Sequence, residues 1–351
     1  MPDWLAGGER PTLRQLEAFA AATNTPVGYL FLDAPPVEAL PIPDMRTVGS
    51  RAPATPSADL LDTVYLCQQR QAWYRDYALS IGEEPLAFIG SACLTSDTKV
   101  TADAMGRALG FHVGDRNAVA TWQEALRRFA ERAEDLGVLV MTSGIVGTNT
   151  RRVLDPEEFR GFALSDSLAP LVFVNGADTK SAQMFTLAHE LAHLWLGESA
   201  LGDSHAASQP HVASEAWCNR VAAELLVPID ELRAELHPDA PVGPEIDRLS
   251  RVFKVSTLVI IRRLFDVGHI EEHTMRQIYG AELSRLRARS PRRGGGDFYL
   301  SQRARVGRRF ARAVYESTWG GRSSFTEAFR LLNVSSMDTF QRLGFAVGAI
   351  Q

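Results

Sequence analysis

The sequence predicts an α+β fold: a mostly helical chain with a small three-stranded sheet packed on two helices that carry candidate metal ligands. Three observations predict it. Apolar residues recur at helical spacing over most of the chain, three short β-type runs cluster between Val138 and Asn175, and an apolar segment holding two histidines and a glutamate follows the last run at once. With 351 residues, 45% hydrophobic and 23% charged, the chain has the length for two or more domains and the balance of a globular protein. Nothing approaches the ~18 apolar residues of a membrane span, and Met1–Arg10 lacks the basic-then-apolar layout of a signal peptide. Cys67, Cys93 and Cys218 are scattered and fit neither a disulfide framework nor a paired-cysteine zinc knuckle. The expected setting is therefore cytoplasmic, with no membrane partner.

In chain order, residues 11–32 read as an amphipathic helix, a turn and a short apolar helix, too few to bury a core alone. Residues 34–56 are proline-rich and should be extended. Helical periodicity returns at Ser57 through Leu60, Leu61, Val64, Tyr65 and Trp73, with further helices around Thr101–Leu109 and Ala118–Leu136. After Gly137 the period changes, and Val138–Met141, Phe159–Leu164 and Leu171–Asn175 read as strands separated by turn residues. Met184–Gly197 comes next, with Asp178 or Thr179 as N-cap and Gly197 as stop; it is apolar nearly all round, the mark of a buried helix. A second helix is expected from Ser214 until Pro228 stops it. Ile246–Leu264 has two apolar-periodic segments joined near Val255-Ser256, the layout of a helix-turn-helix or equally of two helices covering the core. The net charge of −5 hides a basic run, Arg285, Arg287, Arg289, Arg292, Arg293, Arg303, Arg305, Arg308, Arg309 and Arg312, broken by Gly294-Gly295-Gly296. It reads either as a contact for phosphates or an acidic partner, or as the solvated face of a helix whose apolar side is Phe310, Ala311 and Val314.

The chemistry sits in His189-Glu190-Leu191-Ala192-His193. Residues four apart share a helix face, so both imidazoles can grip one Zn²⁺ while Glu190, one step round, reaches its water. A metal would also satisfy three polar groups placed in an apolar helix. A third protein ligand is required, and Glu215 and Glu224 both qualify by spacing. Asn219, four residues after Glu215, could accept the outer N–H of a ligand histidine, whereas the apolar surroundings of Glu224 suit a structural ion pair or helix-end role. His269-Ile270-Glu271-Glu272-His273 fits an inverted zinc pattern, but it follows the turn Asp266-Val267-Gly268 and runs into polar residues. It reads as the exposed start of a short helix with two solvated histidines.

These residues resemble the ImmA/IrrE family of bacterial zinc metallopeptidases, and the resemblance covers most of the chain. It rests on the His189–His193 helix, on Glu215 and Asn219 followed by Ala222–Pro228, on Pro41–Thr47, and on the paired helices after Ile246. The first two are specific in combination; the last is generic. The resemblance favours Glu215 as third ligand. It also implies a division into residues 1–33 as the remnant of an Xre-type helix-turn-helix, 34–58 as a proline-rich linker, 59–228 as the zinc metallopeptidase domain with its sheet on the zinc-binding helices, 229–280 as a helix-turn-helix-like segment, and 281–351 as an arginine-rich helical region. Relatives with this connector often start with a complete Xre-type module, whereas Trp4–Thr12 looks like the end of one. Either the gene start lies upstream or DNA binding through that module is lost.

The expected activity is zinc-dependent endopeptidase action. His189, His193 and Glu215 would hold Zn²⁺, and Glu190 would take the water proton and hand it to the leaving amine. His205, His211 and several tyrosines are candidates to stabilise the oxyanion. By resemblance the substrate is a protein, an Xre-type repressor or antitoxin, in a stress or mobile-element response. The rival is an antitoxin-like or DNA-binding regulator with a non-proteolytic zinc site, partnered by a toxin or by DNA.

Overall fold

A computed structural model describes residues 8, 10–23, 25–34, 36, 40–43, 55–116, 118–201, 213–289 and 298–349. The first helices are α1 (Leu13–Thr23), α2 (Ala58–Ile81), α3 (Thr98–Leu109), α4 (Val113–Arg116) and α5 (Trp122–Asp135). Strands β1 (Leu139–Ser143), β2 (Gly161–Leu164) and β3 (Leu171–Asn175) follow, then α6 (Lys180–Leu196), α7 (Ala213–Leu226), α8 (Ile229–Glu235), α9 (Val242–Phe253), α10 (Thr257–Asp266) and α11 (Glu272–Arg289). The last helices are α12 (Phe298–Val306), α13 (Arg308–Trp319), α14 (Phe325–Leu332) and α15 (Met337–Ala346). No helix among the described residues is long and apolar enough to cross a membrane.

The sheet order is β1-β3-β2, with β3 parallel to β1 and antiparallel to β2. Because side chains alternate along a strand, the sheet divides two cores. Val140, Val172, Val174 and Ala163 face the core built on α5, α6, α7, α9 and α10. Leu139, Met141, Phe162, Leu164, Leu171 and Phe173 face the core shared with α2, α13, α14 and α15. Small residues thus point at α6 and let it pack closely, while the stacked rings of Phe162 and Phe173, 5.0 Å apart, fill the wider gap opposite. The α+β class holds. The sheet lies between two helical layers rather than against one, because each strand is buried on both faces.

The paired helices after Ile246 are part of the first core. Leu258, Val259, Ile260, Ile261, Arg263 and Leu264 of α10 are all buried, and α10 packs on α6, α7 and α11, so this packing accounts for its apolar pattern. Arg263 ties α10 to α7: it reaches Glu224 Oε2 at 2.6 Å and donates to Val227 O at 2.8 Å, while Glu224 Oε1 accepts from Ile229 N at 3.1 Å. The two side chains are 6% and 12% exposed, so loss of one strands the other away from water. Arg263→Ala is expected to lower stability by about 3–5 kcal/mol in urea titration, and joint replacement of both partners by apolar residues to recover most of it. An unchanged midpoint in the single variant would mean that solvent already screens the pair.

Two sequence expectations change. Helix α11 is not short: Met275, Ile278, Tyr279, Leu283 and Leu286, at helical spacing, pack onto the first core and carry it to Arg289. It also starts only at Glu272, so His269 precedes it and the two histidines share no helix face. His273 is 76% exposed, as expected, whereas His269 is half-buried. The arginine run, where described, is largely occupied by acids: Arg303 meets Glu131 at 3.2 Å, Arg309 meets Glu83 at 3.1 Å, Arg308 pairs with Asp135, and Arg285 with Glu282. Arg292, Arg293 and the triple glycine lie outside the described residues, as do most of the connector and the first seven residues.

Candidate metal centre

Helix α6 starts where Thr179 accepts a hydrogen bond from Ala182 N and stops where Gly197 takes a left-handed φ of 73°. Every residue from Ser181 to Trp195 is buried. The one-turn spacing of His189 and His193 brings their Nε2 atoms to 3.1 Å. Helix α7 packs across α6 and delivers Glu215, whose Oε2 lies 3.2 Å from His189 Nε2 and whose Oε1 lies 3.2 Å from His193 Nε2. The same helix brings Asn219 Oδ1 to 2.9 Å from His189 Nδ1. If the ring donates Nδ1–H there, the Nε2 lone pair is left facing inward.

Three donor atoms converging in this way suit a metal. Tetrahedral zinc with arms of about 2.0–2.1 Å sets its ligands about 3.3–3.4 Å apart, close to the spacing found. The group His189, His193 and Glu215 is entirely buried, and neither oxygen of Glu215 has a hydrogen-bond partner among the described residues. Burial alone would raise the Glu215 carboxyl, but the two imidazoles outweigh it and hold the group well below the ordinary carboxylate range. Lone pairs this close without a cation between them would be costly.

Glu190 stands beside this group. Both of its oxygens are buried with no hydrogen-bond partner among the described residues, and burial pushes its carboxyl up to about 7, against the opposing pull of His189 and His193. Strand β2 passes over it at Gly161. A Cβ there would come within 2.6 Å of Thr186 Cγ2, 2.8 Å of Phe173 O and 3.2 Å of Glu190 Cγ, so only glycine lets the strand lie this close. Asn175 N donates to Arg160 O inside the ladder, so by alternation Gly161 and Ala163 turn their backbone groups away from β3. Ala163 spends both on Ala200, with N···O distances of 3.0 Å each way.

Of the residues singled out from sequence, His189, Glu190, His193, Glu215 and Asn219 come together. Glu224 does not; its carboxylate is taken by Arg263 and by the start of α8. His205 and His211 lie outside the described residues. One neighbour escaped the sequence reading: Glu198 Oε2 stands 3.7 Å from His193 Nδ1. The cue was Gly197, because a left-handed cap turns the next residue back over the last helical turn.

Residues 133–265 match a family model described as the IrrE N-terminal-like domain, a peptidase family, and residues 306–344 match a domain of unknown function. No curated protein matches the chain. The first match runs from the end of α5 to α10 and contains the sheet, both helices of the site and all of its converging side chains. That domain is of the metallopeptidase type, and over residues 133–265 the match supports a member of the ImmA/IrrE family.

Proposed function

We propose that the protein is a zinc-dependent endopeptidase that cleaves a regulatory protein, with His189, His193 and Glu215 as metal ligands and Glu190 as the catalytic base. The observation that carries this reading is the meeting of three buried donor groups at 3.1–3.2 Å next to a buried carboxylate with no hydrogen-bond partner among the described residues. Two imidazoles and one carboxylate are a donor set that suits catalytic zinc, which leaves a position for substrate or water. When bound, zinc acidifies water and polarises a carbonyl oxygen. Glu190 takes a proton from the attacking water and returns it to the departing amine nitrogen, a role that a carboxyl with raised proton affinity near neutrality suits. Asn219 keeps His189 in the tautomer that turns Nε2 inward. The apolar walls of α6 and α7 keep bulk water from the reacting groups.

An extended peptide suits the setting, because the outward backbone of Gly161 lies beside Glu190 on an edge strand. The nature of the substrate, an Xre-type repressor or antitoxin in a stress or mobile-element response, rests on kinship with the ImmA/IrrE family. The test is metal analysis joined to proteolysis. The purified chain should carry one zinc and cut a regulator encoded beside it, with cleavage stopped by a chelator and restored by Zn²⁺. One zinc per chain with no cleavage of any such product would instead favour a binding protein with a non-proteolytic metal.

A further inference from the structure

We infer that Glu198 is the positioning residue for His193, as Asn219 is for His189; the inference rests on the metal-centre reading above. An imidazole that offers one nitrogen to a metal needs an acceptor for the N–H on the other, or the ring is free to rotate and its donor is stranded. For His189 that acceptor is Asn219 Oδ1 at 2.9 Å. For His193 the inward nitrogen is Nε2, and its outward Nδ1 is buried with no formed hydrogen bond among the described residues. Facing it at 3.7 Å is Glu198 Oε2, an oxygen that is itself buried and has no hydrogen-bond partner among the described residues, on a side chain 35% exposed. A buried donor and a buried acceptor of opposite character thus lie about 0.8 Å beyond the ~2.9 Å of a formed N–H···O bond, a gap that a small side-chain rotation closes.

The local fold holds Glu198 in place. Gly197 lies at φ 73°, which returns Glu198 N–H to the carbonyl of His193 itself at 3.0 Å. A Cβ on residue 197 would also come within 3.0 Å of Gly90 Cα, so glycine is required twice over. Ser199 Oγ then accepts from Ser165 N at 2.8 Å, and Ala200 pairs with Ala163 of β2. Glu198 is therefore fixed between a capped helix and an edge strand, with its exposed part in water. The competitor is Cys218, buried on α7, whose thiol is also within hydrogen-bonding reach of the His193 ring and acts on its charge more strongly than Glu198 does at 3.7 Å. Its sulfur is a weak acceptor and its S–H a weak donor, so it fills space at the ring better than it orients it.

The test measures Zn²⁺ affinity of the full chain by competition with a chromogenic chelator at one fixed pH, together with the visible spectrum of the Co²⁺-loaded protein. Glu198→Ala is expected to weaken Zn²⁺ binding about 10- to 100-fold and to change the Co²⁺ bands, with Glu198→Ser as a second truncation giving the same loss. Glu198→Gln keeps an acceptor oxygen and should stay within roughly threefold of wild type, as should Cys218→Ala. Wild-type affinity in Glu198→Ala and Glu198→Ser, or a loss found in Cys218→Ala in their place, overturns the assignment alone. A wild-type chain that takes up no Zn²⁺, and is indistinguishable from His189→Ala, overturns the metal centre and this assignment with it.

Discussion

Glu190→Gln is expected to bind metal as the wild type does and to cleave its substrate about 10²- to 10⁴-fold more slowly. The substitution is isosteric and removes only the capacity to take a proton. It breaks no hydrogen bond, because neither oxygen of Glu190 has a partner among the described residues. The fold should not suffer; exchanging a buried carboxylate for a neutral amide relieves desolvation, so thermal unfolding should occur at the same temperature or higher. Three readouts separate the roles: metal content, melting temperature and cleavage rate. Full metal, an unchanged melt and lost cleavage are expected together. Cleavage at the wild-type rate would remove Glu190 from the chemistry, and lost metal would make it a ligand or a support of one.

The second large effect concerns metal and stability. Zn²⁺ at a thousandfold excess over its Kd should stabilise the wild type by about 4 kcal/mol, since binding favours the folded state by mass action. For a chain of this size that is a shift of about 5 °C in Tm. Glu215→Ala should abolish the increment, because the two remaining ligands lie on one helix and nothing then joins α7 to α6 through the ion. Without metal the same variant should also lose stability, because the two imidazoles that hold the Glu215 carboxyl below its ordinary range lose that partner. Equal Zn²⁺-dependent shifts in the two proteins would move the ion away from Glu215.

What the sequence disclosed was whatever local spacing encodes. Thr179 and Gly197 bracket α6 in the letters themselves, and the one-turn separations of His189 and His193, and of Glu215 and Asn219, set which groups share a face. The change of period after Gly137, with short apolar runs bounded by turn residues, disclosed the strands. It could not give the order β1-β3-β2 or the parallel pairing of β1 with β3, since side-chain period is blind to which neighbour a strand takes. The arginine run resisted reading for a related reason. Its partners Glu83, Glu131 and Asp135 lie far back in the chain, and only tertiary packing brings them to Arg309, Arg303 and Arg308. Glu198 was hidden because its importance comes from a backbone reversal rather than a helical interval.

Gly307 has a bearing on how the sheet meets other chains. A side chain there would collide with Val140 O at 2.6 Å, and α12, which it ends, packs along β1. The β1 margin is thereby roofed by the chain's own backbone, and no foreign strand can add to it without displacing a helix. The opposite margin, β2, is closed at Ala163 by Ala200 and otherwise directed outward at Gly161. A sheet with two raw margins is an invitation to sticking and fibril growth; here one is roofed by a helix and the other is closed at Ala163 by Ala200.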